Sequence, residues 1–184
     1  MRKIPLSRGY VALIDNEDFE RVSAYRWTAM VQGYKFVLRV YPITWTEVNG
    51  KRVAFPLHRF ILNFPDGLCV DHIDGDTLDC RRQNLRLATR EQNTQNCRKS
   101  EIKRTSYFKG VYWRSGSNRS RRWVAAAKQS HKKNHHIGVF KEETDAALAY
   151  NLVAEREFGE FAWYNLPLSP AEREQDMKTV QVIE

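Results

Sequence analysis

The residues best equipped for chemistry lie in one stretch, Val70-Asp71-His72-Ile73-Asp74-Gly75-Asp76, followed by Asn84-Leu85 and then by Asn93. An acidic side chain sits beside a histidine, one amide follows twelve positions after His72, and a second follows nine positions later. Carboxylate and amide oxygens suit a hard divalent cation such as Mg²⁺. An imidazole beside such a cation can take a proton from water near neutral pH. A carboxylate, a base and an oxygen-donor metal site together point to metal-assisted phosphodiester hydrolysis. Alone, Asp71-His72-Ile73-Asp74-Gly75 also reads as a polar turn, since Asp and Gly are turn residues. The two amides in register and a basic region downstream favour chemistry. Asp74 is read as a turn former, and Asn96, one turn past Asn93, is the alternative to Asn93 as a ligand.

These residues need elements to bring them together. Cys69-Val70-Asp71 reads as a strand, a polar turn follows, and Leu85-Arg86-Leu87-Ala88 reads as a second strand. Thr89 with Gln92 three residues on forms a capping box for a helix through about Arg98. Upstream, Leu57-His58-Arg59-Phe60-Ile61-Leu62 reads as a short buried helix ending before Pro65, with His58 packing inside the fold. The first 55 residues read as a small sheet with one helix. Tyr10-Val11-Ala12-Leu13-Ile14 is a strand, and Asp15 caps a helix with Phe19, Val22 and Tyr25 at helical spacing. Residues 34–41 form one aromatic and β-branched strand, and Asn49-Gly50 turns a hairpin into Arg52-Val53-Ala54-Phe55.

The chain has 184 residues, enough for one ordinary domain or two small ones. Its mean hydropathy of −0.62 is that of a soluble protein. A net charge of +8 favours an anionic partner, nucleic acid before an anionic membrane surface. No apolar run reaches the length of a membrane-spanning helix, and the N-terminus lacks the apolar segment of a signal peptide. Three cysteines (Cys69, Cys80, Cys97) without C-x-x-C spacing fit reduced thiols and a cytoplasmic setting.

The charge is concentrated. Between Arg98 and Lys133 stand twelve Lys or Arg against one acid, Glu101. This basic stretch alternates with Tyr112, Trp113 and Trp123 and spans strands near residues 110–114 and 122–128, with Ile137-Gly138-Val139-Phe140 as a third. Residues 144–158 read as a helix stopped by Gly159. A sheet of this kind can lie in the major groove of DNA. Strand alternation puts Val124 and Ala126 opposite Trp123 and Ala125, so one set is core, and Trp123 as core is an open alternative. His131, His135 and His136 are read as surface, without a metal.

Leu57-His58-Arg59, Val70-Asp71-His72-Ile73-Asp74-Gly75, Asn84-Leu85-Arg86 and Glu91-Gln92-Asn93 resemble the HNH endonucleases of phage and intron origin. Tyr107-Phe108-Lys109-Gly110-Val111-Tyr112-Trp113, Arg122-Trp123-Val124-Ala125, Ala146-Ala147-Leu148-Ala149-Tyr150 and Asn165-Leu166-Pro167 resemble the AP2/ERF DNA-binding domain. Together the resemblance covers about 165 of 184 residues. It implies an α+β chain built of an N-terminal small sheet with a helix, a ββα-metal (His-Me finger) nuclease core, and a C-terminal three-stranded sheet with a helix. The implied boundaries are a DNA-contacting β-rich region at 1–56, the nuclease core at 57–99, a linker at 100–106, the AP2-like domain at 107–167 and a tail at 168–184.

Carried over by the resemblance, Asp71 and Asn93 are metal ligands, His72 is the general base, and Asn84 buttresses the loop bearing the histidine. The implied cofactor is Mg²⁺ or Mn²⁺. Zinc would need Cys69, Cys80, Cys97 and His58, whose spacings match no usual finger, and is not expected. Asp76 and Asp79 stand where the family often has asparagine, adding negative charge near the site. In AP2 domains the sheet reads DNA, which by position nominates Lys109, Tyr112, Arg114, Arg121, Arg122, Trp123 and Lys128. The expected function is a site-specific endonuclease acting on double-stranded DNA, of homing or mobile-element type. The default is a monomer that nicks, with a dimer as the alternative. Two other classes stay open: a DNA-binding regulator whose nuclease fold is inactive, and a structural or RNA-binding module using the basic sheet.

Overall fold

A computed structural model of the chain describes residues 1–34, 37–97, 105–114, 122–127 and 135–166. It is a mixed α+β structure of several small sheets and few helices. The chain divides into two compact units, residues 1–94 and 95–184. Among the described residues no helix is long and apolar enough to cross a membrane.

The first unit opens on a two-stranded antiparallel ribbon, β1 (Arg2–Pro5) with β2 (Val11–Ile14), registered from Arg2↔Ile14 to Pro5↔Val11. β1 was missed in the sequence because it is four residues long, largely exposed and ends on proline. A short helix α1 (Phe19–Ser23) follows. It is shorter than expected, and Asp15 does not cap it. The Asp15 carboxylate instead accepts the Arg82 N–H at 2.8 Å, so its capping capacity goes to a distant loop.

Next comes the sheet β3 (Thr28–Tyr34), β4 (Val37–Val48), β5 (Lys51–Pro56), all antiparallel in that order. The single strand expected over residues 34–41 is corrected. Tyr34 and Val37 are register partners, so this stretch belongs to two strands. Both arms are rich in strand-forming residues, which hid the reversal. The Asn49-Gly50 hairpin is as expected: both residues take positive φ, 51° and 73°, as a two-residue strand reversal requires.

Helix α2 (Leu57–Ile61) buries Leu57, His58 and Ile61. Then β6 (Cys69–His72) pairs antiparallel with β7 (Leu85–Ala88), and helix α3 (Arg90–Gln95) begins two residues later. The capping box forms reciprocally: the Thr89 N–H donates to Gln92 Oε1 at 2.8 Å and the Gln92 N–H to Thr89 Oγ1 at 3.2 Å. The helix stops at Gln95, short of the expected Arg98, which lies outside the described residues. One core joins these parts, with Ile4, Ile14, Val22, Trp27, Leu57 and Ile61 packed with Val70, Cys80 and Leu85. The residues flanking His72 are thus held by the main core of their unit.

In the second unit, β8 (Val111–Arg114), β9 (Arg122–Ala127) and β10 (His135–Phe140) form an antiparallel sheet in the order β10-β9-β8, followed by helix α4 (Glu143–Phe158). Val111, Ala125, Ala146 and Ala147 form a buried cluster between sheet and helix, with Trp123 and Phe140 against it. Gly110 has φ 72°, and a Cβ there would collide with the Tyr150 ring of α4, so glycine is needed twice over. Asn165 ties the segment after α4 to the start of β8. Its Oδ1 accepts the Lys109 N–H at 2.6 Å and its Nδ2 donates to Lys109 O at 2.8 Å. Buried Asn151 completes the tie, accepting the Asn165 N–H at 2.8 Å and donating to Leu166 O at 2.9 Å.

Candidate active site

The β6–β7 hairpin places Asp71 opposite Arg86 and His72 opposite Leu85. Arg86 is bound to its partner: Nε donates to Asp71 Oδ2 at 2.9 Å, and Nη2 lies 2.8 Å from the same oxygen. Asp71 and His72 are both buried, at 5% and 6% exposure.

The loop after His72 is a chain of local turns. Gly75 N–H returns to His72 O at 3.0 Å, with Gly75 at φ 77°. Asp74 Oδ1 accepts the Asp76 N–H at 2.8 Å, and Asp76 Oδ1 accepts the Leu78 N–H at 2.9 Å. These are the bonds of turn-forming Asp residues. Asp79 pairs with Arg81, Nε to Oδ1 at 2.8 Å, and hydrogen bonding from that guanidinium holds its carboxyl below the ordinary range. Asp79 is thus paired within the loop by Arg81, while Asp76 accepts only a backbone N–H there.

Asn84 spans this loop. Its Oδ1 accepts the Asp74 N–H at 3.1 Å and its Nδ2 donates to Asp79 O at 2.9 Å. Its own carbonyl accepts the Ile73 N–H at 2.9 Å. Outside supports hold the loop too. Thr77 Oγ1 donates to Val40 O at 2.7 Å on β4, and the Cys80 N–H donates to Leu13 O at 2.9 Å on β2. The Arg82 guanidinium donates to buried Asp18 at 2.9 and 2.8 Å, fixing the turn that leads into Asn84.

His72 has two notable neighbours. Cys80 Sγ lies 4.0 Å from Nε2, and the His58 ring stands edge-on at 5.0 Å between centroids and 78° between planes. The other side of His58 meets Tyr41 at 6.1 Å. Burial lowers the His72 pKa below its ordinary value, although the carboxylates of Asp71, Asp74, Asp76 and Asp79 pull the other way. His58 is lowered to about 3, first by burial and then by His72 and Arg59. Both rings are therefore neutral near pH 7, the state a base must be in before it accepts a proton.

Asn93 lies in α3, half-buried, with its N–H on Thr89 O at 3.0 Å. Asn96 is buried just past the end of that helix. Among the described residues no three His, Cys, Asp or Glu side chains converge as a metal cluster. Two residues of this site, Cys80 and Arg86, were missed in the sequence as parts of it, and so was the contact of His58 with His72. Arg86 was recoverable in principle, since pairing the two strands puts it opposite Asp71. Cys80 carried no such signal, because its approach depends on the fold of the loop.

The basic-sheet candidates separate. Cross-strand partners share a face, so Trp113↔Trp123 and Val111↔Ala125 lie on the α4 side. The two tryptophan rings meet at 4.8 Å and 75°. Trp123 thus packs half-buried on the α4 side, the core alternative that the sequence left open. Lys109 is also turned inward: its ammonium donates to Gln95 O, and burial lowers its pKa to about 8. Tyr112, Arg114 and Arg122 share the opposite face and are exposed. Arg121 and Lys128 lie outside the described residues, as does His131. His135 pairs with Glu157 at 2.8 Å.

Comparison with known proteins identifies the family. Residues 63–95, which hold all four motif residues, match the HNH endonuclease family. The chain is 35% identical over 161 residues to an uncharacterized HNH endonuclease of Acanthamoeba polyphaga mimivirus, covering 84% of this chain and 74% of that protein. No solved structure matches.

Proposed function

Since the chain belongs to the HNH endonuclease family and is a DNA-cleaving hydrolase, we propose that His72 is its general base and that Asp71 and Asn93 hold one divalent cation, Mg²⁺ or Mn²⁺. The observation carrying this reading is a buried histidine kept neutral at the end of β6, followed by a loop that Asn84 and three outside anchors hold. Proton transfer needs the base in one place, and a fixed loop provides that without reorganisation during the reaction. Asn84 acts through the loop, as its two side-chain bonds to Asp74 and Asp79 imply.

The donor chemistry fits the cation. A carboxylate and an amide oxygen are hard donors, and two protein ligands leave room for the waters Mg²⁺ retains. Arg86 holds the carboxylate of Asp71 through Oδ2. When bound, the cation would act as a Lewis acid, offsetting charge that develops on the leaving oxygen. The work of this chain's residues is to orient the phosphate's ligands, receive the water proton on His72, and keep both groups sheltered from bulk solvent.

The second unit is read as an AP2/ERF-like module that binds the DNA duplex through the face bearing Tyr112, Arg114 and Arg122. The strands of the first unit contribute further backbone contacts. Phosphate contacts position a duplex and base contacts specify it. The enzyme is read as a monomer that nicks one strand, of homing or mobile-element type. Incubating supercoiled plasmid libraries with the chain and Mg²⁺, with and without EDTA, tests this. Nicked circles cut at one recurrent sequence, and none with EDTA, are expected. Cleavage that survives EDTA, or ends scattered without sequence preference, would contradict the cation or the site-specific reading respectively.

A further inference from the structure

A buried cysteine lies beside His72. Cys80 is fully buried. Its Sγ lies 3.9 Å from Thr77 O and 4.0 Å from His72 Nε2. The two neighbours make different demands. A carbonyl oxygen can only accept, so the contact with Thr77 O uses the single thiol proton. The sulfur then meets Nε2 with a lone pair, and Nε2 must bring the hydrogen. Burial pushes the thiol pKa far up, with Asp79 and Asp76 adding to it, so the proton stays on sulfur.

The frame around this chain of contacts is fixed. The Thr77 hydroxyl is tied to Val40 O at 2.7 Å, which orients the residue whose carbonyl Cys80 meets. The Cys80 N–H is tied to Leu13 O at 2.9 Å, and Leu13 N–H returns to Leu78 O at 2.9 Å. The His58 ring also stands edge-on to the imidazole, at 5.0 Å between centroids, and limits its rotation.

From this geometry we infer that Cys80 is a positioning residue that holds His72 as its Nε2–H tautomer and so makes Nδ1 the basic nitrogen. A neutral imidazole has one donor and one acceptor nitrogen, and the bond made by one decides the role of the other. The proton passes from Thr77-facing sulfur to no other atom during the reaction. Cys80 only accepts the Nε2 hydrogen, and stabilises it further once Nδ1 takes a proton from water. The catalytic part rests on His72 being the base. The tautomer itself does not, and it can be read without DNA, metal or cleavage.

Long-range ¹H–¹⁵N correlation spectra of the full ¹⁵N-labelled chain, recorded without metal above neutral pH, test the inference. The five histidines are few enough for His72 to be assigned by its absence in His72→Ala. The expected wild-type pattern is a protonated Nε2 and an unprotonated Nδ1. Cys80→Ala is expected to move both shifts toward the averaged values of mixed tautomers. It should also lower kcat about tenfold, the scale of one weak hydrogen bond, with the KM for DNA unchanged. Cys80→Ser keeps one donor and an acceptor lone pair and should preserve the wild-type tautomer. A protonated Nδ1 in the wild type, or wild-type shifts retained in a folded Cys80→Ala, overturns the inference. If the tautomer is as inferred but His72→Ala still cleaves, the base assignment falls while the structural role of Cys80 stands.

Discussion

Arg86 faces Asp71 across the β6–β7 hairpin: Nε donates to Asp71 Oδ2 at 2.9 Å, and Nη2 lies within ion-pair distance of the same oxygen at 2.8 Å. The pair is buried, with side-chain exposures of 11% and 6%. Removing one member of such a pair strands the other charge. Arg86→Ala is therefore expected to destabilise the first unit by about 3 kcal/mol in urea unfolding. A divalent cation at Asp71 would replace part of the lost counter-charge. Mn²⁺ should then raise the Tm of the variant more than that of the wild type. Equal shifts in both proteins would mean that no cation is bound at Asp71.

Asn84 offers a second handle. Its amide makes two buried bonds of opposite polarity, accepting from Asp74 N–H and donating to Asp79 O. Asn84→Ala loses both, at a cost of about 2 kcal/mol. Asn84→Asp keeps the acceptor but turns a carboxylate oxygen toward a carbonyl, so it should be no better. Both variants should lose cleavage more than DNA affinity, measured by comparing plasmid nicking with gel-shift binding. A drop in affinity that matched the drop in nicking would make Asn84 a DNA contact.

His58 sets a pH dependence. Its pKa falls from an ordinary 6.5 to about 3 on folding, so between those values the unfolded chain binds a proton that the fold does not. The stability it contributes is complete above pH 6.5 and is lost as the pH falls toward 3. The slope is up to about 1.4 kcal/mol per pH unit for one histidine. His72, also lowered, acts in the same direction. His58→Phe keeps an aromatic edge against His72 and cannot titrate. It also removes a buried Nδ1 that has no hydrogen-bond partner among the described residues. The variant should be at least as stable at pH 7, with a shallower loss toward acid. An unchanged slope would place the titration elsewhere.

On the sheet of the second unit, Arg122 and Trp123 are neighbours in sequence on opposite faces. Arg122→Ala should weaken DNA binding and reduce the salt slope by about one, the signature of one lost phosphate contact. Trp123→Ala removes a ring packed against Trp113 and the helix-facing cluster. It should cost about 2–3 kcal/mol of stability. Normal stability in Trp123→Ala with weakened binding would return that tryptophan to the DNA face.

What could be read in the sequence was local. The Asn49-Gly50 reversal, the Thr89–Gln92 capping box and the strands around Asp71 and Leu85 are each written in a few adjacent residues. So is the turn chemistry of Asp74 and Asp76. What could not be read depends on chain segments far apart. Asp15 looked like a cap because nothing nearby announced that Arg82, 67 residues on, would claim it. The strand reversal before Val37 lacked the turn residues that marked the later hairpin. Trp123 and Lys109 looked like surface residues among basic neighbours, and the faces were decided by strand register and by α4. Cys80 looked like an ordinary small apolar residue, since its place beside His72 comes from three tethers to β2, β4 and the loop itself.

The central claim is that His72 is the base. Cleavage and duplex binding by His72→Ala, measured side by side with Mg²⁺ on the same DNA, test it most directly. The account predicts wild-type affinity with nicking reduced by a factor of at least about 10³, within the range expected when a general base is removed. Nicking within a few-fold of the wild type by a folded variant that binds DNA normally would contradict it.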